Sequence, residues 1–166
     1  ARIMAYMRTR AKLEQAQADG IVDVILDGIG EPLRECDIIF LCTPVEYNAQ
    51  YLTQIRPFLR PGALISDVGS TKEDIHRVVT SLGMEDVFVG GHPMAGTHNS
   101  GFKYATSTMF PNAPMVLVPA DHNDIDLLSR VKELLAPAGF GRFSITTAEQ
   151  HDEMIAFTSQ LAHVVS

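Results

Sequence analysis

Between residues 37 and 89 the chain alternates short apolar runs with amphipathic stretches, and that alternation leaves few folds open. Asp37-Ile38-Ile39-Phe40-Leu41-Cys42 is continuously apolar after its first residue, the pattern of a parallel strand covered on both faces. Thr43-Pro44-Val45-Glu46 reads as a helix start: a hydroxyl to cap, a proline at the first helical position and a glutamate to close a capping box. Leu52, Ile55 and Leu59 line one face of that helix, and Pro61-Gly62 ends it. Ala63 to Val68 is the next strand. Gly69-Ser70-Thr71-Lys72-Glu73-Asp74 repeats the device, and Ile75, Val78, Val79 and Leu82 form an apolar stripe at helical spacing before Gly83. Val87-Phe88-Val89 is a third strand. Strand, helix, strand, helix, strand at this spacing implies a parallel sheet with right-handed crossovers. Ligands of such sheets bind beyond the carboxyl ends of the strands. Thr43-Pro44, Gly69-Ser70-Thr71 and Gly91-His92 therefore open on one edge.

The flanks extend the pattern. Arg2 to Tyr6 and Ile21 to Leu26 read as strands around a short helix that carries Leu13 and Ala16, with Thr9 as cap and Gly20 as stop. Asp27-Gly28-Ile29-Gly30-Glu31-Pro32 lacks the third glycine of a nucleotide loop and reads as a connector. Pro114 to Pro119 is a strand bounded by prolines, which places it near a sheet edge. Asp121 can cap a helix bearing Leu128, Val131, Leu134 and Leu135; Arg142 to Ile145 is a last strand, and Thr147 starts a last helix. The sequence opens on Ala1 inside a strand pattern and closes at Ser166 inside a helical one. Both ends read as cuts in a longer protein.

With 166 residues the chain can bury a real core. The net charge of -7 and the lack of a basic run exclude nucleic acid as the natural partner. No run approaches the ~18 apolar residues of a membrane span. There is no signal-peptide pattern, and cytoplasmic residence is the expectation. Cys36 and Cys42 are expected as two buried thiols and not as a disulfide.

Gly90-Gly91-His92-Pro93-Met94-Ala95-Gly96-Thr97-His98-Asn99-Ser100-Gly101 concentrates the chemistry. Four glycines and a proline predict a loop whose backbone approaches a ligand closely. Two imidazoles and two hydroxyls inside it can exchange protons near neutral pH.

Asp67-Val68-Gly69-Ser70-Thr71-Lys72, the His92-Pro93-Met94-Ala95-Gly96 loop with Ser100-Gly101, His151-Asp152 and Ser159-Gln160-Leu161-Ala162-His163 together resemble prephenate dehydrogenases. The resemblance runs over essentially the whole chain. It implies an α/β, Rossmann-like, mostly parallel sheet flanked by helices, with residues 1–146 as a partial dinucleotide-binding domain and 147–166 as the first helix of a C-terminal helical domain. It also implies NAD(P)-dependent oxidative decarboxylation of prephenate to 4-hydroxyphenylpyruvate, on the route to tyrosine. Under it His92 hydrogen-bonds the ring hydroxyl and takes its proton as hydride leaves, and Ser70 bonds that histidine or the same hydroxyl. Thr97, His98, Ser159 and His163 fall with the substrate. Arg8, Thr9, Cys42, Thr43, Pro44, Gly69 and Ser70 fall with the cofactor, and no metal is called for.

Plainer roles stay open: Ser70 and Thr43 are good helix caps, His163 a helix-face residue, His122 a solvated one, and His151 and His76 surface or packing residues. Two departures stand out. The family's Gly-x-Gly-x-x-Gly strand and helix, and the helical domain that makes its dimer and supplies an arginine for the substrate carboxylate, are not in these residues. The chain by itself is expected to bind cofactor feebly and not to turn over. Arg8 and Arg10, with no acid beside them in Tyr6–Arg10, lean the cofactor towards NADP. Competing readings are an arogenate dehydrogenase, a related β-hydroxyacid-type dehydrogenase and a non-catalytic nucleotide-fold module.

Overall fold

The computed structural model describes residues 1–96, 104–120 and 125–160. Among these residues seven strands and five α-helices follow one another: β1 (Met4–Ala5), α1 (Arg10–Ala18), β2 (Val24–Ile25), β3 (Ile38–Leu41), α2 (Val45–Ile55), β4 (Leu64–Asp67), α3 (Glu73–Leu82), β5 (Phe88–Pro93), β6 (Pro114–Pro119), α4 (Ile125–Leu135), β7 (Arg142–Ile145) and α5 (Ala148–Ile155). Strands β3 to β7 form one sheet in sequence order, and β1 and β2 pair separately. All neighbours are parallel except β5 and β6. This is the mostly parallel, Rossmann-like architecture that the alternation implied.

Alternate residues of a strand face opposite ways, and the core divides accordingly. Ile65 and Phe88 join Leu52 and Ile55 of α2 and Ile75 and Val79 of α3 on one face. Leu64 and Val89 join Leu127, Leu128 and Val131 of α4 on the other. Every residue of β4 is buried, so β4 is the strand with both faces covered. The expectation of two covered faces fails for β3. Its one ladder partner is β4, and Phe40 is 40% exposed. The thiols are free, as expected, but neither is fully buried, and Cys42 is exposed.

Three further expectations are corrected. Pro114 to Pro119 does not lie at an edge but between β5 and β7; its prolines sit at the two ends, where the ladder loses least. The capping box at Thr43 does not form: Pro44 takes the N-cap position itself, and the Thr43 hydroxyl donates to Asn48 Oδ1 at 2.7 Å.

The third correction concerns the glycine-rich dodecapeptide, which is not loop from its start, because β5 runs on through Gly90, Gly91, His92 and Pro93. Its first two glycines serve packing. A Cβ on Gly91 would lie 2.6 Å from the Asp67 carbonyl oxygen and 2.8 Å from Met115 Cε. One on Gly90 would lie 3.0 Å from His76 Nε2 and 3.1 Å from the Val118 carbonyl oxygen. Only glycine lets β5 close this tightly on its neighbours.

Candidate active site

The parallel registers fix where the strands end. Leu41 lies beside Asp67, and Ser66 beside Val89. Strands β3 and β4 therefore run out on one rim, followed there by Thr43-Pro44 and Gly69-Ser70-Thr71, and β5 carries Gly91-His92 past the same rim. The shared edge is as expected.

Asp67, the last residue of β4, ties this rim together. Its carboxylate accepts from Gly69 N at 2.9 Å, from Gly91 N at 3.2 Å and from Lys72 Nζ at 2.6 Å. Lys72 Nζ also donates to the Gly69 carbonyl oxygen at 2.7 Å. Both side chains of this ion pair are 0% exposed. Burial pulls the Lys72 ammonium below its ordinary value, against Asp67 and then Asp152, which favour its charged form. A buried pair of this kind is held by its extra hydrogen bonds as much as by charge. Here those bonds fix both the turn bearing Ser70 and the strand bearing His92.

Helix α5 completes the site. Thr147 caps it, accepting from Gln150 N at 3.1 Å, as its sequence predicted. One turn on, Asp152 reaches back to the start of α3 and accepts from Lys72 N at 2.8 Å and Glu73 N at 2.9 Å. Helix α3 is therefore capped by a carboxylate 80 positions away in sequence, and not by a hydroxyl of its own. That corrects the capping role read for Ser70. Ser70 is exposed, and among the described residues it has no hydrogen-bond partner. Its hydroxyl stands ready at the rim.

His151 is 1% exposed. It bonds Asp152 Oδ1 through Nδ1 at 2.7 Å and His92 Nδ1 through Nε2 at 2.9 Å. The surface reading of His151 is thus overturned. His92 is half-buried, and burial first, then His151 and Lys72, push its pKa down from 6.5 to about 4, against the pull of Asp152. Burial pushes the Asp152 carboxyl up, but the Glu73 amide, His151 and the Lys72 amide together outweigh it and leave Asp152 below its usual range. At pH 7 the site holds a neutral His92 beside an ionised Asp152.

His92 therefore stands at the rim with Ser70 on the neighbouring turn, and its ring bond goes to His151. Thr97, His98 and His163 lie outside the described residues. Ser159 falls in the π-helical turn Ala156–Gln160 that continues α5, and its side chain too lies outside them. Asp67, Lys72, His151 and Asp152 are the site residues that roles assigned from the sequence passed over. Their visible signals were the Asp67-Val68-Gly69-Ser70-Thr71-Lys72 stretch and the adjacent His151-Asp152 pair, which carried the resemblance without a role for these four side chains.

The cofactor candidates divide between two places. Cys42, Thr43, Pro44 and Gly69 sit on the rim. A Cβ on Gly69 would lie 2.9 Å from Asp67 Oδ2 and 3.1 Å from Val45 Cγ2, so the backbone there is bare of side chain. Next to Thr43 in the same turn, Asn48 is 1% exposed, and among the described residues its Nδ2 has no partner. Arg8 lines a second place, a cavity of about 190 Å³ walled also by Tyr6, Arg10, Ile25 and Asp27. Arg8 stacks on the Tyr47 ring, 5.0 Å from its centroid, while Arg10 pairs with Asp27. Thr9 holds the N-cap position of α1 without a side-chain bond to it. These features fit the two ends of a dinucleotide. None of the described turns from strand to helix carries a glycine triplet that would cradle its phosphates.

The chain is similar to known proteins. Residues 1–143 match the family model described as prephenate dehydrogenase, nucleotide-binding domain. A prephenate dehydrogenase from Lactococcus lactis is 34% identical over 91% of this chain and 41% of its own length. Among solved structures, Synechocystis arogenate dehydrogenase is 32% identical with a TM-score of 0.87, covering 96% of this chain and 56% of its own. Aquifex aeolicus prephenate dehydrogenase, solved in complex with hydroxyphenyl propionate and NAD+, is 26% identical with a TM-score of 0.89, covering 99% of this chain and 57% of its own. The chain thus spans about half the length of these relatives.

Proposed function

The chain belongs to the prephenate dehydrogenase family, and we propose that it forms the nucleotide-binding half of an enzyme that oxidatively decarboxylates prephenate to 4-hydroxyphenylpyruvate with NAD(P) as hydride acceptor. Residues 1–146 are read as the dinucleotide-binding domain and 147–166 as the opening helix of a helical domain, in a protein that acts as a homodimer on a small-molecule substrate. One observation carries the chemical reading: an imidazole held below its ordinary pKa at the carboxyl rim of a nucleotide-binding sheet, with Nδ1 engaged by His151 and Nε2 without a partner among the described residues.

The nicotinamide, when bound, supplies the site for the departing hydride. His92 then accepts the hydroxyl proton at Nε2, which lets the ring carbon give up hydride as the carbonyl forms. The uncommitted Ser70 hydroxyl bonds the same oxygen and holds it against His92. Thr43, Pro44, Asn48 and Gly69 hold the nicotinamide end of the cofactor, and Arg8 and Thr9 its adenosine end. Thr97, His98, Ser159 and His163 are assigned to the rest of the substrate. The lean towards NADP rests chiefly on Arg8, since Asp27 already occupies Arg10.

His92→Asn in the full-length gene product is expected to lower kcat by ~10²- to 10⁴-fold, the usual worth of a general base. The assay is reduction of NAD+ or NADP+ in the presence of prephenate, with arogenate in parallel. Near-normal turnover removes His92 as the base. Faster turnover of arogenate than of prephenate reassigns the substrate.

A further inference from the structure

We propose that Asp152 and His151 are positioning residues, which together hold His92 in the Nδ1–H tautomer and leave the Nε2 lone pair free to take a proton. The proposal rests on the reading of His92 as the base.

The argument follows the hydrogens. An ionised carboxylate can only accept, so the 2.7 Å contact between Asp152 Oδ1 and His151 Nδ1 requires the proton on His151 Nδ1. With a single proton on the His151 ring, Nε2 is then an acceptor. The 2.9 Å contact between His151 Nε2 and His92 Nδ1 therefore requires the proton on His92 Nδ1. That leaves His92 Nε2 bare. A free imidazole favours the opposite tautomer, whose bare nitrogen here would face His151 and not the rim. The carboxylate is itself fixed: Oδ2 accepts from Lys72 N at 3.0 Å and Glu73 N at 2.9 Å at the first turn of α3. His151 is fully buried, and its ring meets that of His92 edge-on, 5.1 Å between centroids and 62° between planes. The pair therefore cannot turn freely to exchange roles. A carboxylate orienting an imidazole is the logic of a hydrolase triad, here lengthened by one ring. It also assigns α5 a part in the chemistry: the helix that follows the nucleotide-binding sheet decides which nitrogen of a sheet residue can act as base.

Asp152→Asn tests this cleanly. An amide oxygen in the Oδ2 place still accepts from Lys72 N and Glu73 N and keeps α3 capped, with loss of the 2.8 Å contact of Lys72 N to the Oδ1 place. The amide nitrogen in the Oδ1 place donates to His151 Nδ1 and reverses every proton after it, so that His92 becomes Nε2–H. Ring-nitrogen NMR of ¹⁵N-histidine-labelled full chain at pH 7 reads this directly. The wild type is expected to show His92 protonated at Nδ1, and Asp152→Asn to show it at Nε2. His151→Phe, which fills the same space without an acceptor, gives the Nε2–H form as well and serves where Asp152→Asn does not fold. In the full-length gene product Asp152→Asn should lower kcat by ~10²- to 10⁴-fold with KM changed little, as befits loss of the base form alone. A wild-type His92 protonated at Nε2, or a tautomer unmoved by both variants, overturns the proposal, even where His92→Asn abolishes turnover and the base reading survives. Tautomers that shift as stated while His92→Asn turns over normally overturn the base reading instead, and with it the catalytic purpose of the relay.

Discussion

The two ends of the sheet region are built on different principles. At the rim of β4 and β5, charge is buried and tied by hydrogen bonds: Lys72 with Asp67, His92 with His151, and Asp152 with the start of α3. At the β1–β2 end, charge lies on the surface. Arg2 meets Glu35 with side chains 61% and 62% exposed, and Arg10 meets Asp27 at 57% and 88%. Strands β1 and β2 have two residues each. A buried pair that loses one member leaves the other uncompensated, whereas a surface pair hands its charge back to water. The first region is thus committed to one geometry, as a site that must aim a proton acceptor requires. The second is adaptable, because no buried charge holds it to one geometry.

Asp67→Ala should break this contrast most severely. It leaves a fully buried ammonium with the Gly69 carbonyl as its remaining oxygen partner and removes the acceptor for Gly69 N and Gly91 N. The expected loss is about 3–5 kcal/mol in urea unfolding, a large part of the stability of a typical domain. Asp67→Leu combined with Lys72→Met should recover much of it, because a well-packed apolar pair does not carry that desolvation cost. A loss below ~1 kcal/mol for Asp67→Ala would mean that the rim is no more committed than the surface end.

Acid should sharpen the same contrast. His92 is held at about 4 against an ordinary 6.5, so between those values the unfolded chain binds a proton that the folded chain refuses. Stability therefore falls as pH drops from 6.5 towards 4, and is unaffected by this group above 6.5. Asp152, held below its ordinary value, acts in the same direction lower still: the stability it contributes is present above its unfolded value and is lost as pH falls through its folded one. Urea midpoints at pH 7 and pH 4.5 should show a smaller drop for His92→Gln than for the wild type. Equal drops would show that the half-buried imidazole is not what resists protonation.

The sequence carried the rim's position but not its wiring. Strand and helix alternation put Thr43, Ser70 and His92 on one edge, because side-chain period and turn residues are local signals. It misread which strand had both faces covered, since coverage depends on neighbours that a strand's own residues do not name. It took Gly90 and Gly91 for loop, although Gly90 admits His76 and Val118 and Gly91 admits Asp67 and Met115 against β5, and a close approach leaves no local mark. It assigned the start of α3 to the nearest hydroxyls, while the cap comes from Asp152 across 80 positions. Long-range partners of this kind are what a one-dimensional pattern cannot hold, and all four overlooked site residues are joined through them: Asp67 to Gly91, Lys72 to Asp152 and His151 to His92.

The smallest expected effect bounds the comparison from its other side. Arg2→Ala removes an ion pair of good length, 2.8 Å, whose two side chains are both more than half exposed. Its Coulomb gain is set by water, and holding two long side chains in one arrangement costs rotamer freedom, so the expected change is about 0–1 kcal/mol. Moderate salt should reduce even that, because exposed charges are screened within ~10 Å at 0.1 M. A double-mutant cycle of Arg2→Ala with Glu35→Ala, run by urea unfolding at low and moderate salt, measures the coupling free of each residue's other contacts. A coupling near zero at moderate salt, beside a loss of several kcal/mol at Asp67, places the chain's electrostatic commitment at the rim of β4 and β5. A coupling above ~2 kcal/mol would show that β1 and the connector after β2 are locked as firmly as the rim, and the adaptable character assigned to the Arg8 surface would have to be given up.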